Sequence, residues 1–224
     1  MTKEKKFTNA TVLFTNVDIN FPNLLTPTGS PLNPDKKSYS VTIPLPKNEK
    51  VIVDGKERDI VELSKELLKR HFGSEAEKVF VKIENDKQKI FMVDGDQVKK
   101  KDGTPIEYLK GKHQIKVATG EDAPHIYYDA DSRKVTFANT SAWEEEGRKI
   151  KQGAVANVAA QIWVQDNKYG FGLRGKLLAV QFVKTGSSGQ DVDTEALFSP
   201  IEKPAVPVVA FGGTAPSFAD EDED

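Results

Sequence analysis

Along residues 1–184, apolar and polar positions alternate with a period of two in several short runs, as half-buried strands do. Val12 and Phe14 alternate with Leu13 and Thr15. Tyr39, Val41 and Ile43 oppose Ser38, Ser40 and Thr42, and Pro44 and Pro46 are expected to end that run because proline cannot donate to a ladder. Val79, Val81 and Ile83 alternate with Phe80 and Lys82, and Ile115 and Val117 with Lys112, Gln114 and Lys116. Two further runs, 125–137 with a turn at Asp129–Ser132 and 154–165, precede a last apolar strand at 176–184. In the run 154–165 every even position from Ala154 to Val164 is apolar, so that face is assigned to the core, while Asn157, Gln161, Trp163 and Gln165 face the other way.

One segment follows the helical period instead. Asp59 and Glu62 form a capping box, Ile60, Leu63 and Leu67 a stripe, and Gly73 closes the helix. A mainly β chain with one inserted α-helix predicts an OB-fold-like five-stranded Greek-key barrel with additional strands, a sandwich being the alternative. No internal repeat points to a propeller or solenoid.

The chain of 224 residues has no cysteine and three histidines, His71, His113 and His125. Disulfides and thiolate metal sites are therefore excluded, and no zinc site is expected. The first residues carry charges without a signal-like apolar segment, and no 18 consecutive residues are apolar, which leads to the expectation of a soluble, intracellular protein. The formal charge of −2 is unevenly spread. Residues 185–224 hold nine acidic side chains against Lys203, net −8, which leaves +6 on residues 1–184. A basic body with an acidic tail suits a polyanion-binding surface and a tail that competes for it; a solubilising tail is the plainer reading. Flexible, proline-spaced and then acidic in turn, residues 185–224 are read as a linker and tail, and residues 1–184 as the folded domain.

Gly170, Gly172 and Gly175 spell G-x-G-x-x-G. That motif holds a pyrophosphate only where a helix follows it and an acidic residue lies about 20 positions on. Here nine largely apolar residues, Lys176–Lys184, follow and read as a strand, and Asp191 and Asp193 fall in a loop. Lys168, Tyr169, Phe171, Arg174 and Lys176 interleave cations and aromatics around these glycines, next to Trp163. Cations neutralise phosphates and aromatic faces stack on bases, so the glycines are read as spacing for a nucleic-acid surface. Trp163 either packs under a loop or forms a stacking platform.

Lys112 and Lys116 add a basic face, for which plain solvation is the alternative. Tyr127 and Tyr128 point to opposite faces, one expected in the core and Tyr128 assigned to DNA. Arg133 and Lys134 follow a turn and are placed at a cleft rim. Trp143, beside three glutamates that would repel phosphate, is read as structural or as part of a mobile loop. Asp94–Asp96 and Asp129–Asp131 offer paired carboxylates, but neither continues into a calcium loop and Asp-Gly is a common turn. No nucleophile constellation is visible, so a non-enzymatic protein without a cofactor is expected.

The order of "FTNATVLFTNVDI", "KKSYSVTIPLPK", a helix, "KIFMVDGDQV" and "IKQGAVANVAAQIWVQDNKYGFGLRGKLLAVQFVKTG", followed by an acidic tail, resembles phage-encoded single-stranded-DNA-binding proteins of the OB-fold type. The resemblance spans essentially the whole chain. It implies a protein that coats single strands during phage DNA replication, recombination and repair in the host cytoplasm, without sequence specificity and often as a dimer. It also implies a tail that shields the DNA cleft and meets replication proteins such as polymerase and helicase or primase; here that tail comprises Phe218, Asp220, Glu221, Asp222, Glu223 and Asp224. Related tails commonly finish on an aromatic, whereas Phe218 precedes the acids in this chain, a departure that bears on partner contacts rather than on DNA. A phage structural or assembly protein with a β-barrel and charged tail is the alternative expectation.

Overall fold

The computed structural model describes residues 8–30, 33–168 and 170–186. In chain order the strands begin with β1 (Asn9–Asp18), β2 (Asn20–Ser30), β3 (Asn33–Pro46), β4 (Val51–Val53) and β5 (Lys56–Arg58), followed by the helices α1 (Ile60–Phe72) and α2 (Ala76–Ile83). Then come β6 (Met92–Asp94), β7 (Lys112–Gly120), β8 (Ile126–Tyr128), β9 (Lys134–Val135), α3 (Thr140–Lys149), β10 (Val155–Asn167) and β11 (Gly170–Lys184).

Among the described residues eleven strands form one sheet in the order β2-β3-β7-β11-β10-β1-β4-β5, with β6 on β7 and β8 on β11. β1 and β2 are one run of chain interrupted at Ile19, whose first part pairs with β10 and whose second part pairs with β3. The path therefore returns to the strand from which it started. β7 and β11 meet in parallel at Lys176 and Ala118, while the β3–β7, β10–β11 and β1–β10 pairs are antiparallel. The result is a five-stranded Greek-key ring with additional strands, the expected OB-like architecture.

Alternation decides which side faces in. Val12, Phe14, Tyr39, Val41, Ile43, Ile115, Val117, Val158, Ala160 and Ile162 are buried inside the ring. The α1 helix is set by its N-cap, where Asp59 Oδ1 accepts the N–H groups of Val61 and Glu62 at 2.9 and 3.0 Å. Burial works to raise the Asp59 pKa, but those N–H groups and the Lys50 ammonium outweigh it and hold the carboxyl below its usual range. The buried stripe Ile60, Leu63, Leu67 and Leu68 then packs the helix on the core.

One expectation is corrected and two are made specific. Residues 79–83 are not a strand: Ala76, Val79, Phe80 and Ile83 are buried on one side of α2, packed on α1, while Val81 stands exposed. The apolar run fits both periods, and the helix wins because it buries the 76/79/80/83 face. The prolines do close the third strand: β3 runs through Pro44, opposite Gln114, and ends at Pro46, opposite Lys112. The described β2 ladder stops at Thr42, so these prolines lie beyond the stretch that needs donors on both sides. Of the two readings of Trp143 the structural one holds: it lies on α3, fully buried, its indole N–H donating to the His125 carbonyl at 3.0 Å.

His125 lies under α3 among Tyr39, Tyr127 and Trp143, with ring centroids 5.5, 4.7 and 5.3 Å away, and among the described residues neither ring nitrogen has a hydrogen-bond partner. Burial pushes its pKa down from 6.5 to about 3. Between these values the unfolded chain binds a proton that the folded one excludes, so this residue's contribution to stability is complete above pH 6.5 and declines as pH falls toward 3. The slope approaches about 1.4 kcal/mol per pH unit inside that window. A His125→Phe variant should therefore lose less melting temperature than the parent between pH 7 and pH 4.5; parallel losses would contradict the burial argument.

Candidate nucleic-acid interface

The β10–β11 hairpin carries the cation–aromatic cluster. Its antiparallel register places Trp163 opposite Arg174 and Gln161 opposite Lys176 on the outward face. Lys176 in turn lies beside Ala118 of β7, which is opposite Ser40 of β3. Across these strands lies an open groove of about 600 Å³, lined by Lys36, Trp163, Gln165, Arg174, Lys176 and the 118–120 segment. Three cations line it and, among the described residues, no carboxylate does. Such a surface attracts a polyanion.

Arg174 is fixed in place. Its Nε donates to Gln165 Oε1 at 2.8 Å and a terminal nitrogen donates to the Gln88 carbonyl. Burial lowers its pKa, but a guanidinium stays protonated at any physiological pH. It is thus a partly desolvated, preoriented cation with further N–H groups to offer a phosphate. Trp163 is half-buried on the outward face of β10, as its parity predicts, with its neighbours Val164 and Ile162 turned into the core.

The groove gathers Trp163, Arg174 and Lys176 from the expected set, with Lys168 exposed at the hairpin turn. Lys116 points outward two residues before Ala118 and lines an adjoining depression. Tyr169 lies outside the described residues, as do Phe218 and Asp220 to Asp224 of the tail.

Other expected residues lie elsewhere. Phe171 is not a stacking platform on this face; it packs against the core with its ring edge-on to Phe72 of α1 at 6.3 Å. Its register with Asp166 puts it a residue out of phase with Arg174. Lys112 is four residues from Lys116 along β7, roughly 13 Å, and borders a separate depression with Asp18 and Tyr108. Tyr128 faces outward beside Gln181 while Tyr127 is in the core, as their opposite parity predicts. Tyr128 and Lys134 are paired on β8–β9, roughly 15 Å along β11 from Lys176. Arg133 is committed to its own turn, donating to Asp129 at 2.9 Å and Asp131 at 2.6 Å.

The paired carboxylates are turns. Asp94 and Asp96 both hold the Lys47 ammonium at 2.7 Å, and Asp94 caps the Asp96 N–H. No cluster of potential metal ligands occurs among the described residues.

Two of the motif glycines, Gly172 and Gly175, make room for the protein's own chain, and Gly175 also lines the groove, while Gly170 takes a φ of 104° at the start of β11. A Cβ on Gly172 would stand 2.3 Å from the Lys89 carbonyl oxygen, and one on Gly175 would stand 2.8 Å from Val117. The 89–91 segment wedges between β7 and β11 through Leu173 N–H to Lys89 O at 2.8 Å, Phe91 N–H to Leu173 O at 2.9 Å and Lys116 N–H to Phe91 O at 2.7 Å. Only glycine admits that approach. Lys36 is a groove residue that alternation does not flag; its signal is the Lys36-Lys37 pair at the start of the second alternating run.

A closed Greek-key ring bearing a cationic groove with an indole in its wall defines a binding module for a polyanion with stackable faces. Residues 10–204 match the family model described as Enterobacter phage Enc34, ssDNA-binding protein, and the chain belongs to that family. Among solved structures, the single-stranded DNA-binding protein from bacteriophage Enc34 in complex with ssDNA is similar at 21% identity and a TM-score of 0.52, over 82% of this chain and 93% of that one. A C-terminal truncation of the same phage protein gives 20% and 0.50, over 82% and 92%. These likenesses bear on the fold. No curated protein matches.

Proposed function

We propose that this protein binds single-stranded DNA in the groove of Lys36, Trp163, Arg174 and Lys176, coating it without sequence readout. The observation that carries the reading is a row of cations around an indole, with no carboxylate among the described lining residues, on the outer face of an OB-like ring. Lys and Arg neutralise phosphates and Trp163 stacks on a base of any identity, while Gln165 is already engaged by Arg174. Membership of a phage single-stranded-DNA-binding family supports the same reading, and the match to Enc34 protein bound to ssDNA supports the fold it needs. No comparison favours a virion structural protein.

The setting that follows is phage DNA replication, recombination and repair in the cytoplasm of the infected cell, with no catalytic role. Among the described residues no helix is long and apolar enough to cross a membrane. The acidic residues 220–224 are assigned to contacts with phage replication proteins such as polymerase and helicase or primase, and a homodimer is part of the proposal.

Titration with oligothymidine, followed by tryptophan fluorescence, tests the binding. Quenching should reverse with salt, log K falling by about 0.7 for each phosphate neutralised on a single strand. Absence of binding at low salt would overturn the assignment. As a polyanion in cis, the tail should compete for the groove, so deletion of residues 185–224 should tighten binding at low salt; unchanged affinity would remove the competition.

A further inference from the structure

Phe21 is a bulky residue in an unusual place. It sits on β2 with 57% of its surface exposed and a φ of 48°. A positive φ is an outlier for a bulky side chain, and Pro22 restricts the same residue further. The conformation is enforced from outside the strand: Gln152 Oε1 accepts the Phe21 N–H at 2.7 Å, and Gln152 Nε2 donates to Asn20 Oδ1 at 2.8 Å. One amide thus grips two successive residues and turns the Phe21 ring away from the core to which Ile19 and Leu24 belong.

The ring borders a depression of about 280 Å³ with Lys87, Lys116, Thr42 and Phe91. An apolar floor, one exposed aromatic wall and two ammonium groups are the components of a site for one nucleobase and its flanking phosphates. Its position agrees, since Lys116 precedes Ala118 by two residues on the outward face of β7, about 7 Å, and Ala118 lines the Trp163 groove. Strain maintained at an exposed aromatic beside cations is a mark of a binding element rather than of packing.

We propose that Phe21, with Lys87 and Lys116, forms a second base-stacking subsite that extends the Trp163 groove along β7. The inference rests on the single-stranded-DNA reading above. It makes the bound strand run from the β10–β11 hairpin across β7 to the bend between β1 and β2.

Phe21→Gly, Phe21→Trp and Trp163→Ala variants of the full chain are titrated with oligothymidines of about 4 and about 16 nucleotides, labelled for fluorescence anisotropy, with thermal melts alongside. Phe21→Gly should weaken binding of the long oligonucleotide about 5- to 150-fold and leave the short one unchanged. Because glycine accepts the positive φ, its melting temperature should hold or rise by about 2–4 °C. Phe21→Trp should bind the long strand like the parent. Parental affinity of Phe21→Gly for the long strand, while Trp163→Ala is weakened, would overturn the subsite and leave the main groove standing. Equal weakening on both lengths, or a lowered melting temperature, would mark Phe21 as structural and also overturn it. A parent that binds neither oligonucleotide would remove the groove and the subsite together.

Discussion

Replacing Trp163 by Ala is expected to weaken binding to oligothymidine by about 5- to 150-fold, the range that loss of one base–aromatic stack produces. The residue's neighbours explain why the loss should fall on affinity and not on folding. Trp163 alternates with Ile162 and Val164, which are buried in the ring, while its own side chain lies on the opposite face across from Arg174. A variant that keeps the parent's melting temperature and its salt dependence, but binds more weakly, would match removal of a stacking face alone. Lys176→Ala provides the contrasting result: the slope of log K against log salt should drop by about 0.7 while the stack persists. If Trp163→Ala binds like the parent, the indole is packing beneath the hairpin turn, and the cations of the groove act without it.

The second large effect is on stability. Trp143→Ala should destabilise the protein by about 3–5 kcal/mol, the usual cost of a buried aromatic truncated to alanine. Trp143 is 1% exposed and its ring centroid lies 5.1–5.6 Å from those of Tyr39, His125, Tyr127 and Phe137. Truncation opens a cavity at the junction of α3, β3 and β8 and leaves the His125 carbonyl without its indole donor. Chemical denaturation with a single transition would measure the loss. A cost below about 1 kcal/mol would place Trp143 outside the cooperative core, contrary to its burial. Affinity for DNA should be unchanged below the melting transition, because no atom of this cluster borders the groove.

The contrast between these two tryptophans shows how much of the site could be read from sequence. Trp163 was placed on the outward face by parity, since its strand has one face in the core and a two-residue period leaves no other choice. Trp143 offered no comparable signal. Its helix carries Glu144, Glu145 and Glu146 and is mostly polar, so its burial depends on β8 and β3 arriving beneath it. Phe171 shows the limit from the other direction: an aromatic among cations in sequence, it turns inward because β11 alternates and Arg174 takes the outward phase.

The strands whose alternation separates a core face from a wet one, the capped helix after Asp59, and the concentration of cations and aromatics on the last hairpin are all legible in the residue order alone. Each follows from local chemistry: a two-residue period, a side chain that accepts orphan N–H groups, a glycine-rich turn. Tertiary structure decided the rest. Whether residues 76–83 coil or extend depended on the face that α1 offered; which backbone the glycines of β11 admit depended on the 89–91 wedge; and the groove exists because Lys36, Ala118, Trp163 and Lys176 meet across four strands. Pairing between strands distant in the chain is a property of the closed ring, and no local period encodes it.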